Sequence, residues 1–407
     1  MKYLILVGDG MGDLPMPELD GRTPLEAAKT PTLDSLCQRG ELFRTRTIPA
    51  GYPPGSDVAN LSLLGYRPEE YYTGRAPLEA AAMGVKLDAD ETAFRCNLVT
   101  LSRETKSRVR MIDYSAGHIS SDESHQLIEA LERTCSTDRF HFKAGVSYRH
   151  ILVVGGDYPF MDTVPPHDYI EKDVTEPWQR YMAVPEWKEL LLKTSTVLEN
   201  HPLNQKRIQA GKNPANGIWL WGEGKLPAVP SMFDRFGLRG SLISAVDLLK
   251  GLGVNIGLNI INVPGATGYI DTNYKGKADA ALDCLKTQDY VFVHVEAPDE
   301  AGHQGLLQDK IQAIEDFDGK IVAPILRGLE ERKETFRIIA TMDHYTPLSL
   351  RTHTDSPVPT LLYDSREDKK GSGLNFSEKT GDIAGQEEGG TLPNGEALMW
   401  KLLQRQA

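Results

Sequence analysis

The residues best suited to chemistry are acids and histidines that follow apolar, strand-like runs. Asp9 closes the run Tyr3-Leu4-Ile5-Leu6-Val7-Gly8. Asp299 and His303 follow Tyr290–Val295, Asp343 and His344 follow Phe336–Thr341, and His353 comes soon after in Arg351-Thr352-His353-Thr354-Asp355. In D-E-A-G-H the acid and the imidazole are four residues apart, so a helical turn aims both one way. Asp343 and His344 are adjacent, and on an irregular loop their side chains can diverge toward two different ions. Taken singly, each has an ordinary explanation. An acid after a strand is commonly a turn or cap residue, and a lone histidine is commonly exposed or hydrogen-bonded in the core. Taken together, three Asp and three His fall at the carboxyl ends of predicted strands, where open α/β sheets place ligands. Carboxylates and imidazoles of this kind suit Mn²⁺, Zn²⁺ or Mg²⁺ better than Ca²⁺ or copper. Six such ligands and a hydroxyl suffice for two ions, and paired ions about 3.5–4 Å apart handle phosphoryl chemistry.

Ser56 is the candidate nucleophile. The turn Ala50-Gly51-Tyr52-Pro53-Pro54-Gly55 leads into Ser56-Asp57, expected to cap a helix through Leu64. A hydroxyl there sits beside free N–H groups and the positive end of the helix dipole. It needs a base or a metal to become reactive. No G-x-S-x-G elbow surrounds Ser56, which argues against an esterase triad. Gly8-Asp9-Gly10-Met11-Gly12 lacks the Gly-Lys-Ser/Thr ending of a phosphate-binding loop. Its acid also stands where a dinucleotide pyrophosphate would approach.

The elements that must position these residues alternate. Tyr3–Val7 reads as a strand buried on both faces, and a helix is predicted over Thr30–Arg39. Val254–Val263, Tyr290–Val295, Phe336–Thr341 and Val358–Tyr363 are strand candidates. Helices are predicted over Ala278–Lys286 and Asp309–Leu329. The pattern implies an α/β domain with a mostly parallel sheet flanked by helices. Between 76 and 228 the texture differs, with strand-like Ala93–Leu101 and His150–Gly155 and helices over Ser121–Thr134 and Glu186–Asn200. This stretch reads as an inserted, smaller α+β domain between the two parts, 1–75 and 229–407, of the main one. Gly371–Asn394 reads as a surface loop or lid.

Composition narrows the partners. The chain has 407 residues, 40% hydrophobic and 25% charged, enough to bury a core in two or three domains. With 45 basic and 57 acidic residues the net charge is −12, which argues against nucleic-acid binding. Cys37, Cys96, Cys135 and Cys284 are scattered, without a C-x-x-C pair, as in a reducing compartment. MKYLILVGDG is too short an apolar start to span a membrane, and no 18-residue apolar stretch follows. The expectation is a cytoplasmic protein, a monomer or small homo-oligomer, acting on a small molecule with no membrane or nucleic-acid partner.

Several motifs occur together in one order: Leu4–Gly12, Thr23–Ala28, Pro54–Tyr66, Thr73–Ala81, Phe94–Leu98, Asp113–Ile119, Thr267–Lys277, Pro298–Gly305 and Thr341–Thr354. In these the chain resembles the alkaline phosphatase superfamily, and most closely the cofactor-independent phosphoglycerate mutases of the archaeal type, over nearly its whole length. The resemblance implies an alkaline-phosphatase-like fold and a glycolytic or gluconeogenic isomerase that interconverts 3-phosphoglycerate and 2-phosphoglycerate without bisphosphoglycerate. One divalent ion would be held by Asp299, His303 and His353, and the other by Asp9, Ser56, Asp343 and His344. Mn²⁺ is the first choice, with Mg²⁺, Zn²⁺ and Co²⁺ as alternatives. Ser56 would become a phosphoserine. The insert would close and exclude water, bringing Arg95, His118, Arg149, His150, His167, Asp168 and Lys225 to the substrate. Arg239 lies near the return to the main domain, and His118 or Asp168 would deprotonate the glycerate hydroxyl. Asp113–Ile119 also resembles a bacterial branch of the family proposed as homoserine kinases. A phosphotransferase of that kind, or a phosphomonoester or phosphonate hydrolase, would keep the same metal ligands, so only the insert's pocket separates the readings.

Overall fold

A computed structural model describes residues 1–105, 108–158, 162–226, 228–367 and 371–404. The chain divides into two compact units, Met1–Tyr72 with Ala228–Ala407, and Thr73–Pro227.

The first unit is built on an eight-stranded sheet among the described residues. Its order is Thr391–Leu392, Glu41–Thr45, Val358–Asp364, Phe336–Thr341, Lys2–Gly8, Tyr290–Val295, Gly240–Ile243, Asn259–Ile261. Val358–Asp364 runs antiparallel to both its neighbours, and the other pairings are parallel. Leu4, Ile5, Leu6 and Val7 are fully buried, as a strand covered on both faces requires. One face packs against helices Pro31–Arg39, Tyr274–Cys284, Leu307–Phe317 and Ala323–Glu331 through Leu33, Leu36, Ala278, Ile314, Phe317, Ile325 and Leu329. Three adjacent parallel strands, Lys2–Gly8, Tyr290–Val295 and Phe336–Thr341, end at the same edge. Asp9, Asp299 and Asp343 all follow at that edge.

Three segments depart from expectation. Val254–Val263 is not one strand: the chain runs as helix Asp247–Asn255 before the short strand Asn259–Ile261. Leu249, Leu252 and Ile256 recur at helical spacing and are buried, which outweighs the local β-branched run. Gly257, at φ +74°, makes the turn that follows the helix. Gly371–Asn394 is not a structureless lid. Ser377 and Thr380 form a reciprocal cap at the start of helix Glu378–Gly385, and Thr391–Leu392 joins the sheet. Phe376 and Glu378 are drawn into the interior, so polar composition misled. The helix expected over Asp309–Leu329 is interrupted at Asp318–Val322 by a π turn. The Asp318 carboxylate accepts from the N–H groups of Thr32 at 3.2 Å and Leu33 at 2.6 Å, at the start of helix Pro31–Arg39.

The second unit is α+β. Thr92–Thr105 pairs antiparallel with Arg108–Asp113, Arg149–Val154 and Gly217–Lys225, and Phe140–Lys143 pairs with Arg149–Val154. Helices Ser121–Cys135 and Pro185–Asn200 bury Leu127, Leu131, Trp187 and Leu191 against Phe94, Leu98 and Trp219.

Candidate functional site

Backbone geometry at the sheet edge gathers the acids. Asp9 is the first residue beyond strand Lys2–Gly8, and its N–H donates to Val295 O at 2.9 Å. Gly10, at φ +58°, donates its N–H to Asp343 Oδ1 at 3.1 Å. A Cβ at Gly10 would come within 2.5 Å of both Asp299 Oδ1 and Thr346 Oγ1, so only glycine fits. Pro298 opens helix Ala297–Gln304, which carries Asp299 in its first turn and His303 in its last, with Oδ2 and Nε2 3.2 Å apart. The Asp343 backbone is held by Thr47 Oγ1, which donates to its carbonyl at 2.6 Å.

Ser56 is the first residue of helix Ser56–Leu63 rather than its cap: Gly55 occupies the capping position and no side chain caps the end. The Ser56 hydroxyl is therefore free to face the cluster, with Oγ 3.1 Å from His344 Nε2. One turn later, Asn60 Nδ2 donates to Ser56 O at 2.9 Å and to Asp343 Oδ2 at 2.8 Å.

The histidines share one orientation. His303 Nδ1 lies 3.0 Å from Arg351 O, and His353 Nδ1 lies 3.4 Å from Pro54 O. A carbonyl only accepts, so each Nδ1 carries a proton and each Nε2 is turned away from the backbone. His344 Nδ1 is 3.3 Å from Thr346 Oγ1, which already donates its proton to Asp299 Oδ1. The three Nε2 atoms point inward: His303 and His353 approach to 2.9 Å, and His353 lies 3.5 Å from Asp299 Oδ1. His344 Nε2 lies 3.5 Å from Asp9 Oδ1 and 3.4 Å from Asp343 Oδ2.

These spacings fit divalent cations. Ligands about 2.0–2.2 Å from one ion, at tetrahedral to octahedral angles, lie about 3–3.5 Å apart. Asp9 Oδ1 is buried with no hydrogen-bond partner among the described residues. Burial raises Asp9 well above the usual carboxylate range, and the charges of Asp343 and Asp299 add to the effect. Burial also acts to raise Asp299, but hydrogen bonds from His303 and His353 outweigh it and hold the acid well below that range. The bond to Asp299 in turn lifts His303 to about 9 against a smaller effect of burial. A cation among three buried acids relieves this repulsion.

Sequence reasoning missed several members. His294, inside the fully buried strand Tyr290–Val295, groups with Asp9 and Asp343, with donor atoms within 4.8 Å of one another. A single polar residue in the doubly buried run Tyr-Val-Phe-Val-His-Val was the available signal. Lys310 is fully buried and donates to Gly12 O at 3.1 Å, Thr346 O at 2.8 Å and Asp13 Oδ2 at 2.8 Å, tying two ligand-bearing loops together.

The second unit sorts the remaining candidates. Arg95 stacks 3.8 Å over the Trp221 ring and pairs with Glu79 at 3.1 Å. The His167 ring lies 5.5 Å from Trp221, and Tyr114 packs edge-on against His118, Tyr148 and His167. The Arg149 guanidinium lies 6.0 Å from the Tyr148 ring. The buried Arg95 thus joins the exposed His118, Arg149 and His167 in one basic, aromatic cluster, and Arg75 lies close enough for its charge to act on Arg95 and His167. Asp168 is exposed with Oδ1 3.6 Å from His167 Nε2, and Lys225 is exposed at a strand end. Two candidates do not fit. His150 is 1% exposed, and its Nδ1 accepts from Gly145 N–H at 3.0 Å, so it cannot reach a ligand in solution. Arg239 precedes strand Gly240–Ile243, at the opposite end of the parallel sheet from Asp9, and stacks 4.9 Å over Phe233.

Comparison with known proteins gives one answer. Residues 37–204 match the family model of 2,3-bisphosphoglycerate-independent phosphoglycerate mutase. A probable enzyme of that name from Geobacter sulfurreducens is 50% identical over 405 residues, covering 100% of both chains. The enzyme from Methanosarcina acetivorans is 52% identical over 364 residues, 89% of this chain and 90% of its own. Among solved structures, the cofactor-independent phosphoglycerate mutase of Thermoplasma acidophilum superposes with a TM-score of 0.66 at 27% identity, covering 99% of each chain.

Proposed function

This chain belongs to the 2,3-bisphosphoglycerate-independent phosphoglycerate mutase family, and we propose that it carries out the family's reaction through Ser56. It is an isomerase that interconverts 3-phosphoglycerate and 2-phosphoglycerate. The observation that carries the role of Ser56 is its Oγ, 3.1 Å from His344 Nε2, on the rim of a buried carboxylate–imidazole cluster.

Asp9, Ser56, Asp343 and His344 would hold one divalent cation, and Asp299, His303 and His353 a second, Mn²⁺ being our choice. When bound, such ions neutralise phosphoryl oxygens and ease ionisation of a hydroxyl. Ser56 Oγ attacks the phosphorus of 3-phosphoglycerate, the bond from phosphorus to the 3-oxygen breaks, and the freed 3-oxygen takes up a proton. The glycerate 2-hydroxyl then gives up its proton and attacks the phosphorus, the bond from phosphorus to Ser56 Oγ breaks, and Oγ takes a proton back. No water is consumed. Placement in the first turn of helix Ser56–Leu63 favours the doubly charged phosphoserine. Arg95, His118, Arg149 and His167 offer forked and single donors for the substrate's carboxylate and phosphate.

The homoserine kinase and hydrolase readings are not favoured, because relatives about half identical over 89–100% of the chain are named as mutases. Phosphorus NMR of metal-loaded protein with 3-phosphoglycerate and no bisphosphoglycerate tests the proposal. The expected spectrum gains 2-phosphoglycerate with little inorganic phosphate. Phosphate release in place of the isomer would mean a hydrolase.

A further inference from the structure

We propose that His294 is a ligand, through Nε2, of a divalent cation that Asp9 and Asp343 also hold, a role that rests on the metal-assisted reading above and adds a residue to it. All three side chains are buried, at 1% exposure for Asp9 and 0% for His294 and Asp343. Their donor atoms lie within 4.8 Å of one another. His294 is also oriented like the other three histidines. Its Nδ1 faces outward, 3.3 Å from Ser244 Oγ, and that oxygen is itself fixed by the Val246 N–H at 3.0 Å. An outer hydrogen bond on Nδ1 that leaves Nε2 for a metal is the usual arrangement of a ligating imidazole.

The inward atoms are unsatisfied. His294 Nε2 lies 2.9 Å from Asp9 Oδ2, yet neither His294 Nε2 nor Asp9 Oδ1 has a hydrogen-bond partner among the described residues. Two buried polar atoms this close without a hydrogen bond between them have the spacing of two ligands of one cation. Asp9 turns Oδ1 toward His344, at 3.5 Å, and Oδ2 toward His294, at 2.9 Å, so one carboxylate serves both imidazoles.

The test strips wild type, His294→Asn and His294→Ala with a chelator and titrates each with Mn²⁺ by calorimetry. Pulsed EPR on the bound Mn²⁺ reads nitrogen-14 couplings. The expected result is one ion fewer, or about tenfold to a hundredfold weaker binding at one site, with a nitrogen coupling lost and circular dichroism unchanged. Equal stoichiometry, affinity and couplings in all three proteins would overturn the role of His294 alone. Wild type that takes up no Mn²⁺ would instead remove the metal-assisted reading and His294 with it. If the His294 variants do not fold, Ser244→Ala decides: its Mn²⁺ affinity should fall severalfold, and unchanged affinity would overturn the proposal.

Discussion

Asn60 donates a hydrogen bond from Nδ2 to Asp343 Oδ2 at 2.8 Å, one helical turn beyond Ser56, whose carbonyl it also meets at 2.9 Å. One amide thereby sets the helix that carries the nucleophile against the loop that carries a metal ligand. Asn60→Ala should lower kcat by about tenfold to a hundredfold through misplacement of Ser56, with KM for 3-phosphoglycerate little changed. Steady-state kinetics reads the split. A change confined to KM would show that Asn60 does not position the nucleophile.

Ser56→Ala should abolish isomer formation and leave the melting temperature within a few degrees of wild type, because Ser56 makes no capping bond. Mass spectrometry of acid-quenched wild type should find phosphate on Ser56. Retained turnover in the variant would take Ser56 out of the mechanism.

Removing a proposed metal ligand should remove metal. Asp343→Asn and His303→Ala should each lower the metal-to-protein ratio in elemental analysis. Chelation of wild type should abolish activity until Mn²⁺ is restored. A full complement of metal in both variants would contradict the ligand assignment.

Glu378 should make stability fall as pH rises. It accepts from Asp13 N–H at 3.0 Å and Thr23 Oγ1 at 2.7 Å, near the charges of Lys310 and Asp13 and beside Tyr345. Burial, the largest influence, lifts it from 4.5 to about 7 despite those bonds and Lys310. The folded chain therefore holds more protons than the unfolded chain in that window, and this group's contribution is lost as pH climbs through it, on the order of 3 kcal/mol. Urea titrations across the window should show this loss, and Glu378→Gln should flatten it. An identical profile for the variant would assign the pH dependence elsewhere.

Lys310 and Asp13 form a buried ion pair at 2.8 Å, with side-chain exposures of 0% and 1%. Lys310→Met leaves the Asp13 charge and the carbonyls of Gly12 and Thr346 without their donor, and should cost about 3–5 kcal/mol in chemical denaturation. A loss below about 1 kcal/mol would mean that the loops are held by other contacts.

The chemistry of the cluster and the edge on which it is built are legible in local sequence pattern. Asp9, Asp299 and Asp343 follow apolar runs long enough to be buried strands, and parallel strands end on one side, so local pattern carries that much. The helix through D-E-A-G-H follows the same logic, since four-residue spacing within one turn is a local property. Whatever depends on distant neighbours emerged only from the fold. His294 looks like part of a core strand until Asp9 and Asp343 face it. Lys310, Asn60 and Thr346 act through partners far away in sequence. His150 and Arg239 lost their proposed roles because burial and sheet direction, which residue type does not encode, put them out of reach. Ser56 moved from cap to first helical residue because Gly55 took the capping position, and its free hydroxyl depends on that one-residue difference.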